Sequence, residues 1–573
     1  MGVLGALAAI VRSPIRAVRR RVTYGTFERD PEESPETTRA PLPWYTVRVV
    51  AFVAAIVALQ GYDIGVMAGA RLAMQRDRNF ETWQSEIVVG CLNFVSAFGA
   101  LAGGMAYNKH GAVRSVGAAL ALFALGTAVV ASAYSFTQAA CGRAVCGVGV
   151  GLAFATCPAY LAEISPPARR GAVVAAGFEL AIVSGLLLGY VASLIAVTCE
   201  DDDATRWRVS VGAPVPVAIL LLALVPWMPE SPRWLMREPN PRAAEALEVL
   251  RKTFGVGVGG GVGAGGVGAG GGSEGKRKDE DAAVSSMRSI RALVERDERW
   301  DWSDDDDEAD GGGGDGYSTP TRRSPRKSPQ KSPGGVKSKS PGNGRRRRVG
   351  SASGGWRGVF SDDPACRRAL VVGVGLMFFQ QACGTEAAVY YVPTLLRDAG
   401  WSSETDQIKA ACAVGATKTF FVLVSLFVLD GLGGRRRTLL TSVAFSFACS
   451  VALAASVASV ASPAATLTVL CLYVAAFSAG VGPVTWVVNA ELWPRAVRAR
   501  GTALGVAVNR ATSGAVAMSF LSLSDALGGA GGAFACFAGV CLCHFVFAYA
   551  LVPELKGRSL EQIESGLREA TAR

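Results

Sequence analysis

Apolar stretches near 20 residues long alternate along this chain with short intervals of Arg, Lys, Asp, Pro and Gly. A helix needs about 20 apolar residues to cross the hydrocarbon of a bilayer, whereas a barrel strand needs only about 10. Backbone amides in hydrocarbon must also be satisfied within the segment, so these stretches read as helices. Twelve spans are expected. The first six lie near 47–70, 84–106, 112–133, 137–160, 171–196 and 209–228. The second six lie near 368–396, 407–430, 438–460, 464–489, 499–524 and 530–552. The expected fold class is an all-α polytopic membrane protein with two six-helix bundles, 47–228 and 368–552.

The intervals around the bundles differ in character. Residues 1–46 are polar and mixed; the opening MGVLGALAAI is short and has no clear cleavage signal, so this segment reads as a cytoplasmic tail. Between the bundles, 229–367 forms a linker that begins with a helical, amphipathic stretch, PESPRWLMREPNPRAAEALEVLRKTF. A Gly-rich run at 255–272, an acidic run from Asp304 to Glu308 and a Ser-Pro tract with Ser324, Ser328, Ser332 and Ser340 follow. Glycine loses the most backbone entropy on ordering, so about 253–355 is expected to be disordered. It reads either as a tolerated insertion or as a regulatory loop tuned by phosphorylation or contact with anionic lipid. Residues 553–573 form the second tail.

Charge sets the orientation. The intervals after spans 2, 4, 6, 8 and 10 carry Lys109 and Arg114, Arg169 and Arg170, Arg233 and Arg237, Arg435 to Arg437, and Arg495, Arg498 and Arg500. The interval after span 5 carries Glu200 and Asp201 to Asp203. The positive-inside bias therefore puts both termini and the long linker in the cytoplasm. Arg71, Arg76 and Arg78, after span 1, run against that assignment.

Composition narrows the function classes. Only 18% of the 573 residues are charged, against about 25% in a typical soluble protein, and the mean hydropathy is +0.30. The 13 Cys lie mostly inside apolar stretches without a CxxC framework, which argues against a disulfide scaffold. His110 and His544 are the only histidines, so a zinc or haem enzyme is not expected; no nucleophile constellation stands out either. No cofactor or metal is implied. The run Arg345 to Arg348 sits in a loop between spans and is not read as a nucleic-acid site; the bilayer is the expected partner, and a monomer the expected unit.

A loose internal repetition relates the halves. GGMAYNKHGAVR (103–114) after span 2 has its counterpart in DGLGGRRRTLL (430–440) after span 8. PAYLAEISPPARRG (158–171) after span 4 has its counterpart in NAELWPRAVRARG (489–501) after span 10. Parallel halves of six helices are one way in which transporters build alternating access around a midplane site.

Several stretches then carry a specific resemblance. GYDIGVMAGA (61–70), GRAVCGVGVG (142–151), PAYLAEISPPARRG (158–171) and PESPRWL (229–235) mark the first half. FFQQACGTEAAVYYVP (378–393), GVGPVTWVVNAELWPRAVRARG (480–501), GVAVNRATSG (505–514) and PELKGRSLEQIE (553–564) mark the second. In this order the chain resembles the sugar porter family of the major facilitator superfamily, and within it the plant polyol and monosaccharide proton symporters. The resemblance implies import of a neutral monosaccharide or polyol with a proton. Uncoupled facilitated diffusion and a non-transporting sugar sensor are the rival readings. Plasma membrane is the default location, with vacuolar and plastid envelope membranes as alternatives.

Ionisable residues inside spans mark ion paths or buried partners. Asp63, in span 1, matches the family's proton-coupling aspartate, and Arg143 the arginine linked with it; a helix-cap carboxylate and a snorkelling arginine are the alternatives. Glu179, in span 5, is expected to bind hydroxyls or assist coupling, or else to pair with an arginine near the cytoplasmic end. Gln380, Gln381 and Glu386 suit a polyhydroxylated solute, because amides donate and accept while a carboxylate accepts. They do not share one helical face, so the helix must break to bring them together, and Gly384 permits that. Trp486 offers an apolar face to a sugar ring, and Asn509 matches a further polar binding residue.

Tyr390 and Tyr391 match tyrosines that occlude the site from outside, although an interfacial belt explains them almost as well. Glu163, Arg169 and Arg170 resemble one half of the family's cytoplasmic charge network. Asp430, Arg435, Arg436, Glu491, Arg498 and Arg500 resemble the other. With Glu230 and Arg233 they are expected to latch the bundles reversibly. The loop after span 2 departs from the pattern, with Asn108 and Lys109 where the family has an Asp-Arg pair, so its latch is expected to be weaker.

Overall fold

The computed structural model describes residues 42–165, 173–236, 242–254, 356–431, 434–458, 462–494, 497–556 and 560–572. Most of the insertion expected to be disordered, together with Arg169 and Arg170, lies outside the described residues.

The first half opens with α1 (Trp44–Arg78), α2 (Thr82–Ala131) and α3 (Phe136–Ile164). A π-helical turn, Ala175–Leu180, leads into α4 (Ala181–Cys199), then α5 (Asp203–Gly212) and α6 (Pro214–Leu224). Two short helices of the linker follow, α7 (Pro232–Leu235) and the amphipathic α8 (Ala243–Phe254). The second half holds α9 (Trp356–Val359), α10 (Pro364–Ala382), α11 (Thr385–Tyr390), α12 (Val392–Asp398) and α13 (Glu404–Gly431). It continues through α14 (Arg435–Ala458), α15 (Pro463–Ala476), a π-helical turn at Phe477–Val481, α16 (Gly482–Leu492), α17 (Arg498–Ala526) and α18 (Ala530–Leu551). The tail helix α19 spans Leu560–Ala572.

Among the described residues, nine helical segments are long and apolar enough to cross a membrane. Expected spans 2 and 3 fall in the single 50-residue α2, which departs from helical geometry at Gly111, where φ is +87°. Span 7 is split into α10, α11 and α12, and the breaks fall at Gly384, with φ +89°, and at Tyr391. Local chemistry explains several helix starts. Ser135 caps α3 by accepting from the Gln138 amide, Asp202 caps α5 from Thr205, and Ser462 caps α15 from Ala465.

Small residues let the helices approach closely. A Cβ added at Gly61 of α1 would stand 1.9 Å from the Ile182 carbonyl oxygen of α4, and one at Gly185 would stand 2.0 Å from that of Ala58. In lipid, association rests on such close packing, because the surrounding tails are as apolar as the side chains. In the first half α2 packs on α3 and α1 on α4; in the second, α14 packs on α18 and α10 on α17. Contact between halves runs through α2 with α17 and α4 with α13. One buried cluster belongs to the first half, built around Val57, Phe123 and Tyr160, and reaches Met377 and Val506 at its edge. A second lies in the second half around Leu376, Val484 and Trp493. A third is shared by both halves and includes Met67, Val89, Tyr190, Tyr390, Leu395 and Phe520.

Two ends of the molecule can be told apart. The helices alternate in direction, so the segments flanking the linker, including Asn108, Glu163, Glu230, Arg435 and Glu491, lie at what we call the loop end. Arg76, Asp203 and Glu404 lie at the distal end. The amino-terminal start of α1 is at the loop end, where the Thr46 hydroxyl donates to the carbonyl of Thr253 at 2.9 Å.

The arginines that ran against the expected orientation are all engaged. Arg71 is buried, Arg76 bridges Asp203 and Glu404, and Arg78 pairs with Asp77 at 2.9 Å.

Candidate functional site

Asp63 and Arg143 meet between α1 and α3. Arg143 Nη1 donates to both carboxylate oxygens, at 2.6 and 2.7 Å, and the residues are 3% and 1% exposed. The guanidinium is completed by two carbonyls of α2, Val88 at 2.8 Å from Nε and Val89 at 3.3 Å from Nη2. Neither residue is a surface cap or a snorkelling charge. A pair this buried holds together because both charges are matched and most donors are used.

Just before the break at Gly384, the glutamines of α10 lie against α17. Asn509 Nδ2 donates to Gln380 Oε1 at 2.7 Å, and Gln381 Nε2 donates to Asn509 Oδ1 at 3.2 Å. Gln380 Nε2 also donates to the Gly482 carbonyl at 2.8 Å, tying the cluster to the start of α16. Gln381 Oε1 and Glu386 Oε2 are buried with no hydrogen-bond partner, and an unpartnered buried acceptor calls for an explanation.

Two residues missed in the sequence complete this region. Lys418 of α13 and Arg510 of α17 stand within electrostatic reach of both Glu386 and Glu179. Among the described residues no carboxylate oxygen lies within 4.0 Å of either cation, so the four charges face one another without direct contact. Arg510 donates to Asn509 Oδ1 at 2.6 and 3.1 Å and stacks over Phe154 at 4.7 Å. Trp486 is half-buried against Phe154 and Phe178, and interacts with the Glu179 side chain. The signal for Lys418 and Arg510 was present: each is a lone cation in an apolar stretch.

Tyr390 and Tyr391 are fully buried rather than interfacial. Asn93 Nδ2 donates to the Tyr390 hydroxyl at 3.0 Å across the halves, and the Tyr391 hydroxyl donates to the Ala517 carbonyl at 2.7 Å.

The loop-end charges are arranged differently from expectation. Glu163 accepts from the hydroxyls of Tyr107 and Ser231, both outside the second half. Glu230 acts as a helix cap. Its carboxylate accepts from the backbone amides of Ala112 at 2.7 Å, Val113 at 3.3 Å and Ser231 at 2.9 Å, because the break at Gly111 leaves helix-start amides without partners. Trp234 Nε1 donates to the Asn108 carbonyl at 3.2 Å, so the divergent loop is held without an Asp-Arg pair. Arg435 Nη2 donates to Glu491 at 2.7 Å within the second half, and Arg436 donates to the Tyr549 carbonyl at 2.5 Å. Arg498 Nε donates to the Trp493 carbonyl at 3.1 Å. Arg233 is exposed and Arg500 half-buried at the same end, and Asp430 lies in the last turn of α13.

The chain is similar to known proteins along nearly its whole length. The sequence profile of the family described as "Sugar (and other) transporter" matches residues 49–257 and 336–567. "Probable polyol transporter 4" of Arabidopsis thaliana is 33% identical, over 94% of this chain and 89% of the relative. "Putative polyol transporter 1" of the same plant is 34% identical, over 91% and 92%. Among solved structures, that of the major facilitator superfamily proton:xylose symporter XylE bound to 6-bromo-6-deoxy-D-glucose matches with a TM-score of 0.68. It is 21% identical and aligns over 91% of this chain and 98% of the other, which establishes the fold. A partially occluded inward open XylE from E. coli matches with a TM-score of 0.67 at 20% identity, over 90% and 99%. Motifs, fold and relatives agree: this multi-pass membrane protein is a transport protein and belongs to the sugar transporter family.

Proposed function

We propose that the protein is a proton-coupled symporter for a neutral monosaccharide or polyol, built as twelve spans in two six-helix bundles that expose a central site alternately to each side. The observation that carries this reading is the buried Asp63–Arg143 pair, in which Arg143 Nη1 donates to both carboxylate oxygens. Removing one partner of such a pair costs about 3–5 kcal/mol, because the other charge is left buried and uncompensated. Loss of that pairing, when the carboxylate takes up a proton, therefore goes with rearrangement of α1 and α3. Proton binding and conformational change are in this way one event.

The second element is a site suited to hydroxyls. Gln380, Gln381 and Asn509 both donate and accept; Glu179 and Glu386 accept; Lys418 and Arg510 donate. The charges sum to zero, which favours a neutral solute, and hydrogen bonds to charged groups are about twice as strong as neutral ones. Relatives named as polyol transporters and one named "D-xylose-proton symporter-like 2", 28% identical, support the substrate class and the coupling. The loop end is the cytoplasmic end in this reading, and the plasma membrane is the proposed location.

Uptake of radiolabelled hexoses, pentoses and polyols into proteoliposomes tests the substrate class. Saturable uptake of one of these classes is expected. Binding without uptake would make the protein a sensor, and neither binding nor uptake of any of them would end the reading.

A further inference from the structure

The distal end is bridged by charged residues that the transport reading leaves unused. Glu86 of α2 is 2% exposed, and its carboxylate accepts from the backbone amide of Ser522 on α17, at 2.9 Å, and from the Ser522 hydroxyl. Arg71 of α1 is 3% exposed; its Nη2 donates to the Thr394 hydroxyl of α12, and its guanidinium lies over the Tyr391 ring at 5.0 Å. Arg76 donates to Asp203 at 2.7 and 2.8 Å within its own half, and to Glu404 of α13 at 3.0 and 3.1 Å across the halves.

These bonds share a direction. Glu86–Ser522, Arg71–Thr394 and Arg76–Glu404 each join a residue of 47–228 to one of 368–552, and all three lie at one end. At the loop end, by contrast, the carboxylates of Glu163, Glu230 and Glu554 are satisfied within their own half and its flanking segment.

The arrangement is also reversible by its chemistry. Among the described residues, no carboxylate oxygen lies within 4.0 Å of the Arg71 guanidinium, and its Nε has no partner. Glu86 is a buried acid within electrostatic reach of Arg71, yet its bonds go to Ser522. A separated buried cation and anion is poorly compensated, so water regains much of what the cross-half bonds supply when the end opens. Such a contact stabilises closure without making it permanent.

We infer that Glu86, with Arg71, Arg76 and Glu404, forms a clasp between the halves that holds the distal end shut and sets how often the site is exposed there. The inference rests on the alternating-access reading above. Glu86 contributes more than Arg76, whose side chain is 45% exposed and whose bridges are correspondingly screened.

Hydrogen exchange of the detergent-solubilised protein, followed by mass spectrometry, tests the clasp without needing a substrate. Glu86→Gln and Glu404→Gln are expected to speed amide exchange at the distal ends of both halves, in 71–93, 390–398 and 517–526. Asp203→Asn, which alters only bonds within the first half, those from Arg76 and Arg206, is expected to leave exchange in the second half unchanged. In proteoliposomes the KM from the distal side should fall about three- to tenfold in Glu86→Gln, since apparent affinity follows the population of the competent state. Exchange confined to the helix carrying the substitution, with KM unchanged, would overturn the clasp. If Glu86→Gln does not fold, the partly exposed Glu404→Gln decides by the same exchange pattern. Failure of the unmodified protein to transport would count against the functional reading, while the exchange pattern would still decide the clasp.

Discussion

Glu230 and Glu554 hold equivalent places in the two halves. Glu230 accepts from the amides of Ala112 and Val113, just after Gly111 at φ +87°; Glu554 accepts from those of Arg435 and Arg436, at 2.9 and 3.2 Å, just after Gly434 at φ +91°. Each carboxylate follows the last long helical span of its half and caps a helix start at the loop end. The loose sequence repeat is thus realised as one capping device used twice.

Loss of the second cap should be measurable as stability. Glu554→Ala removes a carboxylate that accepts from four amides, those of Arg435, Arg436, Leu555 and Lys556. Hydrogen bonds to charged groups contribute about 1.5–3 kcal/mol each, with partial recovery from water at this end, so a loss of at least about 2 kcal/mol is expected. Thermal unfolding in detergent measures it, and an unchanged Tm would contradict the capping role.

The first cap gives stability a pH dependence. Burial pushes the Glu230 carboxyl up from its ordinary value of 4.5, against the pull of the Ser231, Ala112 and Val113 amides. A folded-state value raised above the unfolded one means that the folded protein holds the proton more tightly. This contribution is fully present below pH 4.5 and is lost as pH rises through the folded value. Unfolding curves between about pH 4 and 8 should therefore slope less in Glu230→Gln than in the unmodified protein. Identical slopes would show that Glu230 does not titrate differently on folding.

Close approach of α1 and α4 should tolerate no side chain at Gly61. With a carbonyl oxygen 1.9 Å from the added Cβ, Gly61→Val must separate the helices. Overpacking of this kind costs about 1–3 kcal/mol, and a lower yield of monodisperse protein is the expected readout. Wild-type yield and melting would mean that α1 moves freely against α4.

Lys418 and Arg510 should act on substrate affinity. Lys418→Met and Arg510→Gln each remove charged donors from the site, and about a tenfold rise in KM is expected, on the scale of one charged hydrogen bond. Transport kinetics over the substrate panel measure it. Unchanged KM in both variants would place the two cations outside the substrate's reach.

The parts of this molecule legible in its sequence are those written in local pattern. Hydrophobic run length pointed to the helices, Gly384 gave the break in span 7, a carboxylate in an apolar run singled out Asp63, and the family resemblance added Arg143. What pattern does not encode is which residue meets which. Arg71, Arg76 and Arg78 read as loop charges opposing the orientation, yet one is buried and the others are paired with acids near or distant in sequence. Glu230 read as a gate charge because it was grouped with the charge network that the family resemblance implies, and the structure turns it onto amides more than a hundred residues away. Lys418 and Arg510 were passed over because each lies in a stretch whose apolar or family character dominated. Their meaning comes only from facing Glu179 and Glu386 across the site.

The central claim is that Asp63, paired with Arg143, couples the proton to solute movement, and one measurement tests it most directly. Proteoliposomes holding the unmodified protein or Asp63→Asn would be given a transported polyol or sugar, with and without an inward proton gradient, and followed past equilibrium. The account predicts accumulation above the external concentration that requires the gradient in the unmodified protein. It also predicts uptake that only equilibrates, or none, in Asp63→Asn. Gradient-driven accumulation that persists undiminished in Asp63→Asn would contradict it.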